Sequence, residues 1–106
     1  MEINDIVEGL NKYYETFPNR RVGHFVLRKV IENNVAVKSQ KLYRIQIYFV
    51  GKKGPHVAVE TNIHHRVVTD AEEAKVLSLL TTSITKSLLE YINTQNFKEL
   101  CNDSNE

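Results

Sequence analysis

Leu42-Tyr43-Arg44-Ile45-Gln46-Ile47-Tyr48-Phe49-Val50 alternates apolar with mostly polar side chains, and Gly51-Lys52-Lys53-Gly54 follows it directly. Successive side chains of a strand point to opposite faces of the sheet. Tyr43, Ile45, Ile47 and Phe49 therefore share one face, and Arg44, Gln46 and Tyr48 share the other. The glycine-bracketed turn closes a hairpin. In the next run, His56 to Ile63, the same period puts Val57, Val59, Thr61 and Ile63 on the core side, and His56, Glu60, Asn62 and His64 opposite. These two strands define a sheet with one apolar and one polar face, the usual pattern of an antiparallel sheet covered on one side.

Upstream, Arg21 to Ile31 is rich in β-branched and aromatic residues but alternates imperfectly, so a bulge or a strand buried on both faces is expected. Glu32-Asn33-Asn34 reads as a turn, because Asn tolerates left-handed backbone. Val35 to Val37 leaves room for a short fourth strand at the edge.

Both ends of the chain are helical in pattern. Ile3, Ile6, Val7, Leu10, Tyr14 and Phe17 recur at helical spacing, with Asn4 a candidate N-cap, and Pro18 disfavours helix at Phe17. Thr69-Asp70-Ala71-Glu72 is a capping box that opens a long second helix, striped by Val76, Leu77, Leu80, Ile84, Leu88 and Ile92. Phe97 and Leu100 either extend it or form a separate turn, and residues 101–106 read as a frayed tail. The expected fold is thus α+β in the order α-β-β-β-α: a three-stranded antiparallel meander, one face under two helices, forming a single domain over residues 1–100.

Length and composition agree. The chain of 106 residues is 42% apolar and 25% charged, as ordinary globular proteins are, and is long enough for one core. Cys101 is the sole cysteine and the first residues lack a basic, apolar leader. Both point to a reducing, cytoplasmic setting without a membrane partner.

The net charge of +1 hides a segregation: residues 18–66 hold ten Lys or Arg against two Glu, whereas both flanking helical segments are net acidic. Arg20, Arg21, Arg44, Lys52, Lys53 and Arg66 are candidate phosphate contacts. Tyr48 is a candidate stacking platform, and His56 and His64 lie beside it on the polar face. The competing reading is a solvated face whose Lys and Arg discourage edge-to-edge aggregation.

Catalytic and metal chemistry find no such pattern. No Cys/His spacing fits a zinc site, and His56 and His64 are roughly 26 Å apart along one strand. Ser78, Ser83 and Ser87 read as the polar side of a helix, and Gly51-Lys52-Lys53-Gly54-Pro55 lacks the helix that follows a phosphate loop. The expectation is a non-enzymatic binding module without a cofactor. Its partner would be nucleic acid, or alternatively an acidic protein surface. Leu79 and Leu89 lie off the main stripe of the second helix and mark a second candidate surface, for a protein partner or a homodimer.

The order α-β-β-β-α resembles that of double-stranded RNA-binding domains and of dimeric bacterial nucleoid-associated proteins. The RNA-binding domains carry a Gly-Pro-x-His loop and a Lys-Lys-x-Ala-Lys helix start. Here Gly54-Pro55-His56 lacks the spacer, and Asp70-Ala71-Glu72-Glu73-Ala74-Lys75 is acidic where phosphates would dock, which argues against that mode. With the nucleoid-associated proteins only element order is shared, and element order does not carry function.

Overall fold

The computed structural model describes residues 2–66 and 68–103. The elements are α1 (Ile3–Tyr14), β1 (Gly23–Asn33), β2 (Gln40–Gly51), β3 (Gly54–Arg66), α2 (Asp70–Tyr91) and α3 (Gln95–Cys101). The strands form one antiparallel sheet in the order β1-β2-β3. Helix α1 lies over β1 and α2 over β3 and β2, while α3 closes the end near the β2–β3 turn.

The central strand reads as its alternation requires. Tyr43, Ile45, Ile47 and Phe49 are all buried beneath the helices. From α2 they meet Val76, Leu80, Ile84 and Leu88, and from α1 Ile3, Val7, Leu10 and Tyr14. Each such burial is worth about 1.5–3 kcal/mol. Thr69 caps α2 as its sequence indicates, its hydroxyl accepting from the Glu72 N–H. Toward the β2–β3 turn the core becomes aromatic: Tyr14, Phe25, Phe49, Tyr91 and Phe97 contact one another edge-on or tilted. Gly23 and Gly51 are needed there, since a Cβ on either would overlap the Phe49 ring. Gly54 takes a φ of 89° in the turn itself, a conformation glycine adopts without steric cost.

Several local expectations are corrected. Helix α1 begins at Ile3 after Glu2, so Asn4 lies inside the first turn and does not cap it. The bulge is in β3 and not in β1, which pairs with β2 in unbroken register. β1 alternates poorly because Val26 and Val30 stand on the outer face, opposite Tyr48 and Arg44. Residues 34–39 form the β1–β2 loop and add no strand; the Asn34 side chain there accepts from the Ala36 and Val37 N–H groups. Phe97 and Leu100 belong to the separate helix α3, capped by Thr94. The expected tail from residue 101 is partly fastened. Cys101 is buried, Asp103 Oδ2 lies 2.6 Å from Arg21 Nε, and the Asp103 N–H donates to Asn19 O. Residues 104–106 lie outside the described residues.

Candidate functional site

Among the described residues every helix packs on one face of the sheet and the opposite face is uncovered. The strand register sets out its rows. Val26, Tyr48 and Val57 form one, Arg28, Gln46 and Glu60 the next, then Val30, Arg44 and Asn62, and then Glu32, Leu42 and His64. The polar side chains at its centre are tied together. Arg28 Nη1 donates to the Tyr48 hydroxyl at 2.9 Å, and that hydroxyl donates to Gln46 Oε1 at 2.8 Å. Gln46 Nε2 donates to Glu60 Oε1 at 2.7 Å. Arg44 Nε lies 3.1 Å from the same oxygen, an ion-pair distance, although its N–H is not aimed well enough for a hydrogen bond. This chain of contacts explains why Gln46 is buried on an open face. Tyr48 leans along its own strand to reach Gln46 and is half-buried, not upright in solvent.

The predicted contact residues do not gather at one place. Arg44 and Tyr48 are central on the uncovered face, and His64 and Arg66 lie toward its far end. Arg66 also reaches Glu72 of α2, Nη2 to Oε2 3.4 Å. Lys52 and Lys53 are exposed at the opposite end, in the β2–β3 turn, and neither makes an ion pair among the described residues. Arg20 and Arg21 serve the fold instead. Arg20 Nη1 donates to the Glu15 and Phe17 carbonyls behind α1, while Arg21 binds Asp103 on the helical side.

His56 is displaced by the bulge. Val59 pairs with Ile47 but Val57 pairs with Tyr48, so Ala58 is the extra residue. A one-residue insertion exchanges the faces beyond it. His56 therefore turns to the helical side, its ring 5.6 Å from that of Phe49, and Val57 stands on the outer face, 44% exposed. His56 there lines an open cleft of about 490 Å³ between β3 and the α2–α3 end, with Glu90 and Glu99.

Arg28, Gln46 and Glu60 emerge as the organisers of the uncovered face. Glu32 shares the face with Glu60 as a second acid. The signal for Arg28 was its position midway between Val26 and Val30, two residues from each and hence on their face.

Part of the charge segregation has a local cause. Asp5 lies in the first turn of α1, and Asp70, Glu72 and Glu73 in that of α2, where the positive end of the helix dipole favours acids. Glu73 also accepts from the Tyr43 hydroxyl at 2.8 Å and pairs with Lys41. Burial first, and then Glu73, raises the Tyr43 pKa. Burial chiefly pushes Tyr91 up to about 12 and also raises the Cys101 thiol, which keeps that thiol protonated and a poor nucleophile.

Among the described residues no three His, Cys, Asp or Glu side chains come together to hold a metal ion, and no helix is long and apolar enough to cross a membrane. On α2, Leu79 and Leu89 are 72% and 60% exposed. Compared with protein-family models, curated proteins and solved structures, the chain matches none.

Proposed function

We infer that the protein is a binding module whose uncovered sheet face and β2–β3 turn engage a nucleic acid. The observation that carries this reading is the arrangement of Lys52 and Lys53 at the end of a helix-free face centred on Tyr48 and Arg44. Cationic side chains contact phosphates without regard to sequence, and an aromatic ring on an open sheet can stack on a base. Arg44 keeps its terminal nitrogens for an anion while its Nε lies against Glu60. Arg20, Arg21 and His56 are not part of this surface.

The test is a fluorescence-anisotropy titration of Lys52→Ala/Lys53→Ala against a labelled single strand. Loss of two phosphate contacts weakens binding and lowers the log–log salt slope by about 1.4 on a single strand. Unchanged affinity and slope would remove the turn from the interface.

The exposure of Leu79 and Leu89, ten residues apart on the outer side of α2, favours a second reading, a protein partner on that helix. Leu79→Glu then abolishes the complex and leaves the thermal midpoint unchanged. A complex that survives the substitution rules this surface out.

A further inference from the structure

The two edges of the sheet differ. The β3 edge is interrupted by Pro55 and by the bulge at Ala58, features that discourage further pairing. The β1 edge has neither, and its eleven residues run in unbroken register with β2. Among the described residues it is plugged only near one end. The Asn11 side chain of α1 accepts from the Phe25 N–H at 2.7 Å and donates to the Phe25 carbonyl at 2.9 Å, as a neighbouring strand would.

That plug also reveals the polarity of the edge. In an antiparallel ladder a residue sends its N–H and C=O to the same side, and successive residues alternate. Phe25 points outward, so Leu27, Lys29, Ile31 and Asn33 do as well. Among the described residues no other element pairs with Leu27, Lys29 or Ile31 along this edge.

We propose that this open stretch, Leu27–Asn33, pairs antiparallel with the same stretch of a second copy across a two-fold axis at Val30, making one six-stranded sheet. The charges select the register. An axis at Arg28, Lys29 or Glu32 would set like charges face to face. An axis at Val30 puts Arg28 opposite Glu32 of the second copy, twice, on the outer face shared by Val26, Arg28, Val30 and Glu32. Opposite charges directly across a ladder stabilise it, and like charges destabilise it. The outward-facing residues then pair among themselves, Lys29 with Ile31 and Leu27 with Asn33, giving roughly eight ladder hydrogen bonds. Lys29, a charge of the kind that guards edges, falls opposite Ile31, whose 44% exposed side chain its methylene stem covers. Each α1 lies over rows 25–29 of its own strand, so the two helices fall on opposite sides of the axis and do not compete for space. Arg28 can keep its hydrogen bond to Tyr48, because a guanidinium has five N–H donors. The pairing holds whether or not the outer face binds nucleic acid, and it doubles that face.

The test combines solution mass with cross-linking. The mass of the parent chain should rise toward twice the chain mass over about 1–200 µM, the range in which a modest interface dissociates. Val30 meets its own copy in a pair without ladder hydrogen bonds, with Cα atoms about 4.5 Å apart, within reach of a disulfide. Val30→Cys should therefore cross-link on air oxidation. Val26→Cys should not, since the two copies of residue 26 lie roughly 26 Å apart. Arg28→Glu or Glu32→Arg alone should weaken the dimer at least about tenfold, and the double reversal should restore it to within about threefold. A mass of one chain at every concentration, equal cross-linking at residues 26 and 30, or a double reversal as weak as the single ones would overturn the proposal.

Discussion

Asn11→Ala removes the side chain that, among the described residues, fastens α1 to the edge of β1 at Phe25. Two hydrogen bonds are lost, at 2.7 and 2.9 Å, both part-buried. A typical intramolecular hydrogen bond contributes about 1 kcal/mol net, and a backbone group left without a partner costs about 1–3 kcal/mol, less where water can reach it. Water can enter at an edge, so the expected loss is about 2 kcal/mol. For a chain of 106 residues this lowers the thermal midpoint by about 8 °C. Urea unfolding followed by circular dichroism should show an earlier midpoint with unchanged slope, because the surface exposed on unfolding is the same. Amide exchange at Phe25 should quicken beyond what global destabilisation explains. A loss below about 0.5 kcal/mol, within the range of ordinary surface substitutions, would mean that Asn11 does not hold this edge. The assignment of the outward-facing residues of β1 would then lose its basis.

Two further outcomes follow from the core. Gly23→Ala places a Cβ against the Phe49 ring and the Val50 carbonyl, so it should destabilise the fold by about 1–3 kcal/mol, measured by urea unfolding; a neutral result would show that Phe49 can move aside. The folded state also holds the Tyr91 and Tyr43 protons more tightly than the unfolded chain, whose tyrosines titrate near 10.0. Stability is therefore fully present below that pH and falls as pH rises from about 10 through 12. Tyr91→Phe should flatten that fall in urea midpoints measured against pH, and a midpoint that climbs above pH 10 would contradict the sign.

What could be read from the sequence depended on how local its cause was. β2 was legible because every second residue is buried and the rest face solvent or the polar network. α2 was legible because Thr69 and the following acids mark its start. The bulge was not, because Val57-Ala58-Val59 offers apolar side chains on either count and an inserted Ala58 leaves no mark in the pattern. That one residue exchanged His56 and Val57 between faces. Arg28 was not legible as an organiser, because β1 carries apolar residues on both faces and its polar side does not stand out in the pattern. Charge summed by segment misses partners that are distant in the chain. Asp103 answers Arg21 and Glu73 answers Lys41. The basic character of the sheet is correspondingly smaller than the segment sum implies, and the unpaired Lys52 and Lys53 matter more.

Nucleic-acid binding by the uncovered face is tested by anisotropy titrations of the parent chain with single- and double-stranded DNA and RNA, at low and near-physiological salt. Binding should weaken steeply with salt and favour the single strands, on which Tyr48 can stack. Absence of binding to all four ligands at low salt would contradict it and leave the face a solvated surface.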